Sequence, residues 1–222
     1  MSVPLSLVDA SPGRGRRACL EPLPGIALAR GRLHEVCGSA RHTFALWLAG
    51  RLAGAVLWIA PAWQGAGLHP DGMIAFADPG RFLFLRPDRL SDMLWCAEEA
   101  LRSGAAPLVV LDLPEPPALT PVRRLHLAAE AGGAGAAGAA AAPLGLALTP
   151  GEGGAQGIET RWHMAPAHDP TRDGAGLRWR LERRRARALP PAAWQLCGHP
   201  GPEGGMAMRM EADGDGAGLK PI

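Results

Sequence analysis

Short runs of consecutive apolar residues recur along the chain, and they constrain the fold more than any other feature. The runs at 55–59 (AVLWI), 82–85 (FLFL) and 108–113 (LVVLDL) have the length of β-strands. A strand that is apolar at every position belongs in a sheet covered on both faces. Because helical patterns separate these runs, the sequence predicts a doubly wound, mostly parallel α/β sheet.

The pattern changes to alternation in the last third of the chain. Segments 159–165 (ETRWHMA), 177–183 (LRWRLER) and 193–197 (AWQLC) alternate apolar and polar residues, as half-buried antiparallel strands do. We expect them to extend the parallel sheet, with a short edge strand at 206–210. The predicted organisation is therefore a loosely ordered leader at 1–30, one domain at 31–199 and a flexible tail at 200–222.

Three helices are predicted between the strands. The first covers 43–52 with Thr43 as its N-cap, and the second covers 88–103 with one apolar face. The third begins at Thr120-Pro121 and ends at Glu130, before the Gly132-Gly133 pair. We expect Trp58 and Trp95 to lie in the core.

Composition excludes several classes of protein. The net charge is only +2, which does not indicate a nucleic-acid binder, and 22 of the 23 basic residues are arginine, which is typical of a GC-rich genome. Four widely spaced cysteines predict reduced thiols rather than a disulfide framework. Since no signal-peptide pattern and no apolar stretch of about 20 residues occurs, we expect a soluble cytoplasmic protein without a membrane partner.

Residues 35–52 (EVCGSARHTFALWLAGRL) resemble the entrance to a phosphate-binding loop. Such a loop needs G-x-x-x-x-G-K-[ST], whose backbone N–H groups and lysine hold the phosphates. Gly38 is present and Thr43 could replace the hydroxyl residue, but the second glycine and the lysine are absent. Only four residues separate Gly38 from Thr43, so we interpret the segment as a degenerate P-loop.

An ATPase of this kind also needs a carboxylate after the next strand, here 55–59, and no acid lies between that strand and Asp71. Asp112 could act as the acid that supports the metal, although a turn residue at a strand end is the commoner role. We therefore expect no catalysis, no metal site and no cofactor.

Two features suggest binding surfaces. Trp63 follows the strand at 55–59, at the edge where α/β sheets place ligands, and it is a candidate interface anchor. The strand from Leu177 is rich in arginine. It is either a cationic patch that binds DNA phosphates or the acidic surface of a partner protein, or a strand face that is simply solvated. The arginines concerned are Arg178, Arg180, Arg183, Arg184, Arg185 and Arg187.

The order of several segments resembles one family of RecA-like proteins, the inducible mutagenesis protein A family. The resemblance covers about residues 25–197. The segments that carry it are GRLHEV (31–36), DPGRFLFLRPDRLSDMLWCAEEALRSGA (78–105), TPVRRLHLAAEAGG (120–133), ETRW (159–162) and LRWRLERRRARALPPAAWQL (177–196).

This resemblance implies a RecA-like fold without ATP hydrolysis and a role in damage-induced (SOS) mutagenic translesion DNA synthesis. The implied partners are an inactive Y-family-like polymerase subunit of the mutasome, an error-prone replicative-type polymerase and RecA, with an indirect contact to DNA. The alternatives are a SulA-like inhibitor of cell division, an ATPase with a substituted loop, and a single-stranded DNA binder.

Overall fold

The computed structural model describes residues 18–65, 67–135, 141–168, 177–187, 189–201 and 205–210. The described part contains eleven strands, four α-helices and a 3-10 helix at Pro79–Arg81. The strands are β1 (Cys19–Leu23), β2 (Ile26–Ala29), β3 (Arg32–Cys37), β4 (Val56–Ile59), β5 (Phe82–Leu85), β6 (Leu108–Asp112), β7 (Leu144–Leu148), β8 (Thr160–Pro166), β9 (Leu177–Ala186), β10 (Ala192–Pro200) and β11 (Met206–Met210). The helices are α1 (Arg41–Gly50), α2 (Pro70–Met73), α3 (Leu90–Ser103) and α4 (Leu119–Gly135).

Nine of the strands form one sheet in the order β11-β10-β9-β8-β3-β7-β6-β4-β5. The six neighbouring strands β8, β3, β7, β6, β4 and β5 pair in parallel. Strands β9, β10 and β11 continue the sheet from β8, and each of these pairs is antiparallel. This arrangement confirms the predicted mixed α/β architecture, in which a large, mostly parallel sheet is extended by C-terminal antiparallel strands.

Helices cover both faces of the parallel strands. In β6, Val110 packs into a cluster with Phe44 of α1, whereas its neighbour Val109 packs into a second cluster with Met93 of α3 and Leu125 of α4. Because successive strand residues point to opposite faces, a strand in this position must be apolar throughout. The continuous apolar run of β6 therefore corresponds to the two-sided burial that was predicted for it.

Helix α1 begins two residues earlier than predicted. Its first residue is Arg41, and its N-cap is Ala40, which makes no side-chain capping bond. The prediction that Thr43 caps this helix is therefore wrong. The strand β3 and the turn at Gly38 determine where the helix starts, since they bring the chain onto the sheet before Thr43 is reached.

Glycines in α3 and α4 allow the two helices to approach closely. An added Cβ on Gly104, at the end of α3, would lie 2.6 Å from the carbonyl oxygen of Gly132, and one on Gly132 would lie 2.1 Å from that of Leu101. The prediction that Gly132-Gly133 terminates α4 is wrong, because the helix continues to Gly135. The helical cost of glycine, about 1 kcal/mol, is offset here by the close packing that it permits.

A hairpin occupies the second half of the predicted leader. Strands β1 and β2 pair in antiparallel fashion, and Ile26 and Leu28 are fully buried in the α1 cluster. The sequence analysis missed this hairpin because its strands are only five and four residues long and the segment lacks sustained periodicity. Residues 1–17 of the predicted leader lie outside the described part of the chain.

Several apolar residues are more exposed than their sequence context indicated. Strand β5 lies at the edge of the sheet, and Leu83, Phe84 and Leu85 are exposed, which contradicts burial on both faces. Trp58 is buried as expected, but Trp95 is 60% exposed on α3, so its predicted core position is wrong. Periodicity identifies an element, but it does not show whether a second layer covers that element.

The C-terminal part follows the predicted pattern. Strand β11 spans Met206–Met210 and pairs with β10, as expected for a short edge strand. Residues 202–204 and 211–222 of the predicted tail lie outside the described part of the chain. Of the helices that the structure describes, none combines the length and the apolar character needed to cross a bilayer.

Candidate functional site

The segment that resembles a phosphate loop connects β3 to α1 at the carboxyl edge of the parallel strands. Gly38 opens it with a φ of 89°, a conformation that favours glycine. An added Cβ would lie 2.4 Å from the carbonyl oxygen of Met164 and 2.9 Å from Nε2 of His163. Gly38 is therefore required by its neighbours in β8, independently of any ligand.

Backbone N–H groups of this loop are bonded to the protein itself. Gly38 N–H donates to the carbonyl of Gly151 at 3.0 Å, and Ala40 N–H donates to the carbonyl of Met164 at 3.0 Å. A phosphate loop works because such groups point at the ligand. Here they tie the loop to β8 and to the turn after β7, so they are unavailable to a phosphate. Thr43, the predicted hydroxyl residue, is half-buried in the first turn of α1.

A histidine–aspartate pair occupies the place between this loop and β6. Nε2 of His42 lies 2.8 Å from Oδ2 of Asp112, although the two residues are 70 positions apart. The Asp112 side chain is 7% exposed, its Oδ1 has no hydrogen-bond partner among the described residues, and the His42 ring lies 6.0 Å from the Trp58 ring. The acid predicted as a possible metal support is thus held by an imidazole.

The sequence analysis singled out Asp112 but did not pair it with His42. The only signal for the pair was position: Asp112 is the last residue of β6, His42 lies in the first turn of the helix after β3, and the carboxyl ends of parallel strands share one edge of the sheet. Of the described residues, no three histidine, cysteine, aspartate or glutamate side chains are grouped as a metal would require.

A buried carboxylate fixes the loop between β7 and β8. Glu35 is fully buried, and its Oε1 accepts hydrogen bonds from Thr149 Oγ1 at 2.8 Å and from the N–H groups of Gly154 and Ala155 at 2.8 and 3.0 Å. Its Oε2 forms an ion pair with Arg161. A buried charge is tolerated when it is paired and hydrogen-bonded in this way. The sequence analysis assigned no role to Glu35.

Burial shifts the pKa of two other ionisable groups in β3. Burial lowers the pKa of His34 to about 4, so the ring is neutral and bonds Thr160 Oγ1 at 2.6 Å and the Ala29 carbonyl at 2.9 Å. Burial, with a further contribution from Glu35, raises the pKa of the Cys37 thiol to about 11. A thiol needs a lowered pKa to act as a nucleophile, so Cys37 is suited to packing rather than to catalysis.

The predicted arginine patch is divided between two faces of β9. Arg183 is buried on the core side, where its guanidinium lies 5.8 and 5.3 Å from the Trp162 and Trp194 ring centroids. It donates to the carbonyls of Pro190 and Gly25. This arginine therefore holds the hairpin of β1 and β2 against the sheet and is not available to a phosphate.

Arginines on the other face of β9 are mostly paired with acids. Arg180 and Arg184 both bond Glu182, and the hydrogen bond from Arg180 lowers the pKa of that carboxyl. Arg184 also pairs with Glu152. At the end of the strand Arg187 lies 3.4 Å from Glu159, and Arg185 is exposed, while Arg178 is half-buried. The strand face is consequently closer to neutral than its sequence suggested.

Trp63 lies where the sequence analysis placed it, just beyond the carboxyl end of β4. Its side chain is 56% exposed. The preceding residue, Ala62, donates its N–H to the carbonyl of Pro87 at 3.0 Å, so this segment runs beside the chain that leaves β5. Trp63 therefore stays a candidate interface anchor, since tryptophan is enriched at binding hot spots.

Comparisons with known proteins give likenesses among solved structures only. No family model and no curated protein matches the chain. A solved structure that matches is the crystal structure of SulA from Pseudomonas aeruginosa, with 24% sequence identity and a TM-score of 0.41. The match covers 54% of this chain and 98% of that chain. A likeness at this level carries no argument about function.

Proposed function

We propose that this protein is a non-catalytic, RecA-like accessory protein of damage-induced mutagenic translesion DNA synthesis in the cytoplasm. It acts by binding other proteins. Its partners are an inactive Y-family-like polymerase subunit, an error-prone replicative-type polymerase and RecA. The segments between residues 31 and 196 that resemble the inducible mutagenesis protein A family motivate this choice of process and partners.

One observation supports the non-catalytic part of the proposal above all others. The N–H groups of Gly38 and Ala40 donate to protein carbonyls, and Asp112 is bonded to His42. ATP hydrolysis of the P-loop type needs free N–H groups for the phosphates and a free carboxylate for the magnesium ion. Binding ATP here requires several internal hydrogen bonds to break, and the chain lacks the lysine that offsets the phosphate charge.

Isothermal titration with ATP and Mg²⁺ tests this part. We expect no saturable heat from the wild-type protein. Micromolar ATP binding that disappears in the Asp112→Asn variant contradicts the proposal, because it requires Asp112 to leave His42 and support a metal–nucleotide complex.

Affinity capture with the purified polymerase partners tests the interaction part. Two exposed tryptophans provide a matched pair, since Trp63 is 56% exposed and Trp95 is 60% exposed. We expect Trp63→Ala to weaken capture of the polymerase subunit and Trp95→Ala to leave it unchanged. Failure of the wild-type protein to capture any of the three partners refutes the proposal. Filamentous cells on overexpression favour the SulA-like alternative instead.

A further inference from the structure

The free edge of strand β5 is an unusually apolar end for the nine-stranded sheet. Leu83, Phe84 and Leu85 are 58, 47 and 38% exposed, and we call these three residues the apolar edge. Proteins usually protect an edge strand with charges, prolines or bulges because its unpaired backbone accepts further strands. In β5 no such device lies within the four residues Phe82–Leu85.

Among the residues that the structure describes, no strand pairs with the outer side of β5, and both faces of the apolar edge are partly exposed. The Phe82 and Phe84 rings stack with their centroids 6.1 Å apart, on the sheet face that α1 covers nearer the centre of the sheet. Leu83 and Leu85 point to the opposite face. The Leu85 carbonyl accepts from Ala60 N–H at 3.0 Å, toward β4. In a parallel pair, alternate residues bond to the same neighbour, so the peptide groups of Phe82 and Phe84 point away from the sheet.

An arginine stands on each side of the strand. Arg81 donates to the carbonyls of Leu52 and Gly54, and Arg86 donates to the carbonyl of Gln64 at 2.9 Å. In the described part of the chain neither arginine has an ion-pair partner. Neutral carbonyls orient these guanidinium groups but leave their charge uncompensated, and two fixed cations therefore flank four apolar residues.

We propose that β5 is a docking strand for an extended segment of a partner protein that carries an apolar centre and acidic residues at both ends. The partner segment pairs with the outward peptide groups of Phe82 and Phe84, and its apolar side chains cover the apolar edge. Its terminal carboxylates lie against Arg81 and Arg86. Backbone pairing supplies affinity in such strand addition, and side-chain pockets and charges supply specificity.

A second copy of this chain fits the same edge poorly. With large side chains at about 150–250 Å² each, the exposed parts of the apolar edge total roughly 250 Å². That is about a third of the ~800 Å² per partner of a standard interface. In a symmetric antiparallel pair of β5 strands, Arg81 of one copy also lies opposite Arg86 of the other, and like charges in that position are unfavourable.

Fluorescence anisotropy with a labelled octapeptide, Glu-Asp-Val-Leu-Val-Phe-Asp-Glu, tests the proposal on the full chain. We expect saturable binding, and at least about tenfold weaker binding of the same peptide with lysines in place of its four acids. Phe84→Pro removes an outward N–H group together with the phenyl ring that stacks on Phe82, so it should abolish both the pairing and this apolar contact while leaving the backbone ladder to β4 intact. Arg86→Glu should shift the preference toward the lysine peptide.

Leu83→Asp and Leu127→Asp form a matched pair of exposed leucines, 58 and 65% exposed. The first should weaken binding of the acidic peptide by about tenfold or more because of the added negative charge and the lost apolar contact, and the second should not change it. The absence of saturable binding, or binding unaffected by both Phe84→Pro and Leu83→Asp, overturns the proposal. So does a concentration-dependent dimer in sedimentation equilibrium that Phe84→Pro disperses, because the occupant is then a second copy. The test is independent of the proposed role in translesion synthesis.

Discussion

Replacing Glu35 by alanine is the perturbation whose effect follows most directly from the structure. The carboxylate is fully buried in β3 and accepts hydrogen bonds from Thr149, Gly154 and Ala155 while it pairs with Arg161. After Glu35→Ala, the Arg161 charge loses its only carboxylate among the described residues. Two backbone N–H groups of the loop between β7 and β8 lose their acceptor at the same time.

The magnitude comes from the broken pair and the orphaned donors. Removing one partner of a buried ion pair costs about 3–5 kcal/mol. An unsatisfied buried donor costs about 1–3 kcal/mol, but the partly exposed Gly154 N–H can turn to water, so the ion-pair range is the better estimate. A protein of this class is stable by about 5–15 kcal/mol. At about 2–4 °C per kcal/mol for this chain length, the expected fall in Tm is roughly 6–20 °C.

Urea unfolding followed by tryptophan fluorescence measures the change. Glu152→Ala is the matched control, since that side chain is 75% exposed and also pairs with an arginine, Arg184. Screening by solvent makes exposed pairs contribute little, and we expect the control to keep the wild-type midpoint. If Glu35→Ala shifts the midpoint no further than Glu152→Ala does, the argument that Glu35 anchors the loop is wrong.

Three further predictions concern the same region. Gly38→Ala should destabilise the protein by several kcal/mol, because the φ of 89° and a carbonyl 2.4 Å from the new Cβ act together. Gly151→Ala is the control, since Gly151 has a φ of 58° and no atom within 4 Å of the added Cβ, and it should cost only about 1–2 kcal/mol in urea unfolding. Since the folded pKa of His34 is about 4, below its unfolded value of 6.5, the unfolded state binds the proton first. Stability is therefore complete above pH 6.5 and falls by about 3 kcal/mol as the pH drops to 4, and His34→Gln should reduce that slope in unfolding measured at several pH values. In timed alkylation at pH 8, Cys37, with its pKa raised to about 11, should react far more slowly than the exposed Cys19, and equal rates contradict the buried geometry.

Local hydrophobic patterns predicted β6 and β9 well, because the pattern of each strand matches the number of its faces that are buried. The run at Leu108–Asp112 is a strand of the sheet interior, buried on both faces as its continuous apolar character requires. Alternation over Leu177–Ala186 likewise predicted which side of β9 faces the core. The hairpin at Cys19–Ala29 was not predicted, because strands this short and close to prolines show no clear hydrophobic periodicity.

Long-range partners were beyond the reach of the sequence. His42 meets Asp112 because α1 starts beside β3, and only β7 lies between β3 and β6 in the sheet. Arg183 looked like part of a cationic surface, but it continues the alternation of Trp179 and Leu181 and lies on the aromatic side of β9. Spacing indicates the side on which Arg183 lies, but residue type and spacing do not show which rings and carbonyls it meets there.

The sequence by itself determined the class of architecture, because hydrophobic periodicity is a local property that reports whether one or both faces of a segment must be buried. Only the tertiary structure decided which strand lies in the interior and which at the edge. FLFL at 82–85 and LVVL at 108–111 are equally apolar, yet β6 lies between two strands and β5 has one neighbour. Strand order arises from the joint packing of all the elements. It determines which carbonyls accept hydrogen bonds from the Gly38 loop, and it determines which apolar residues remain exposed.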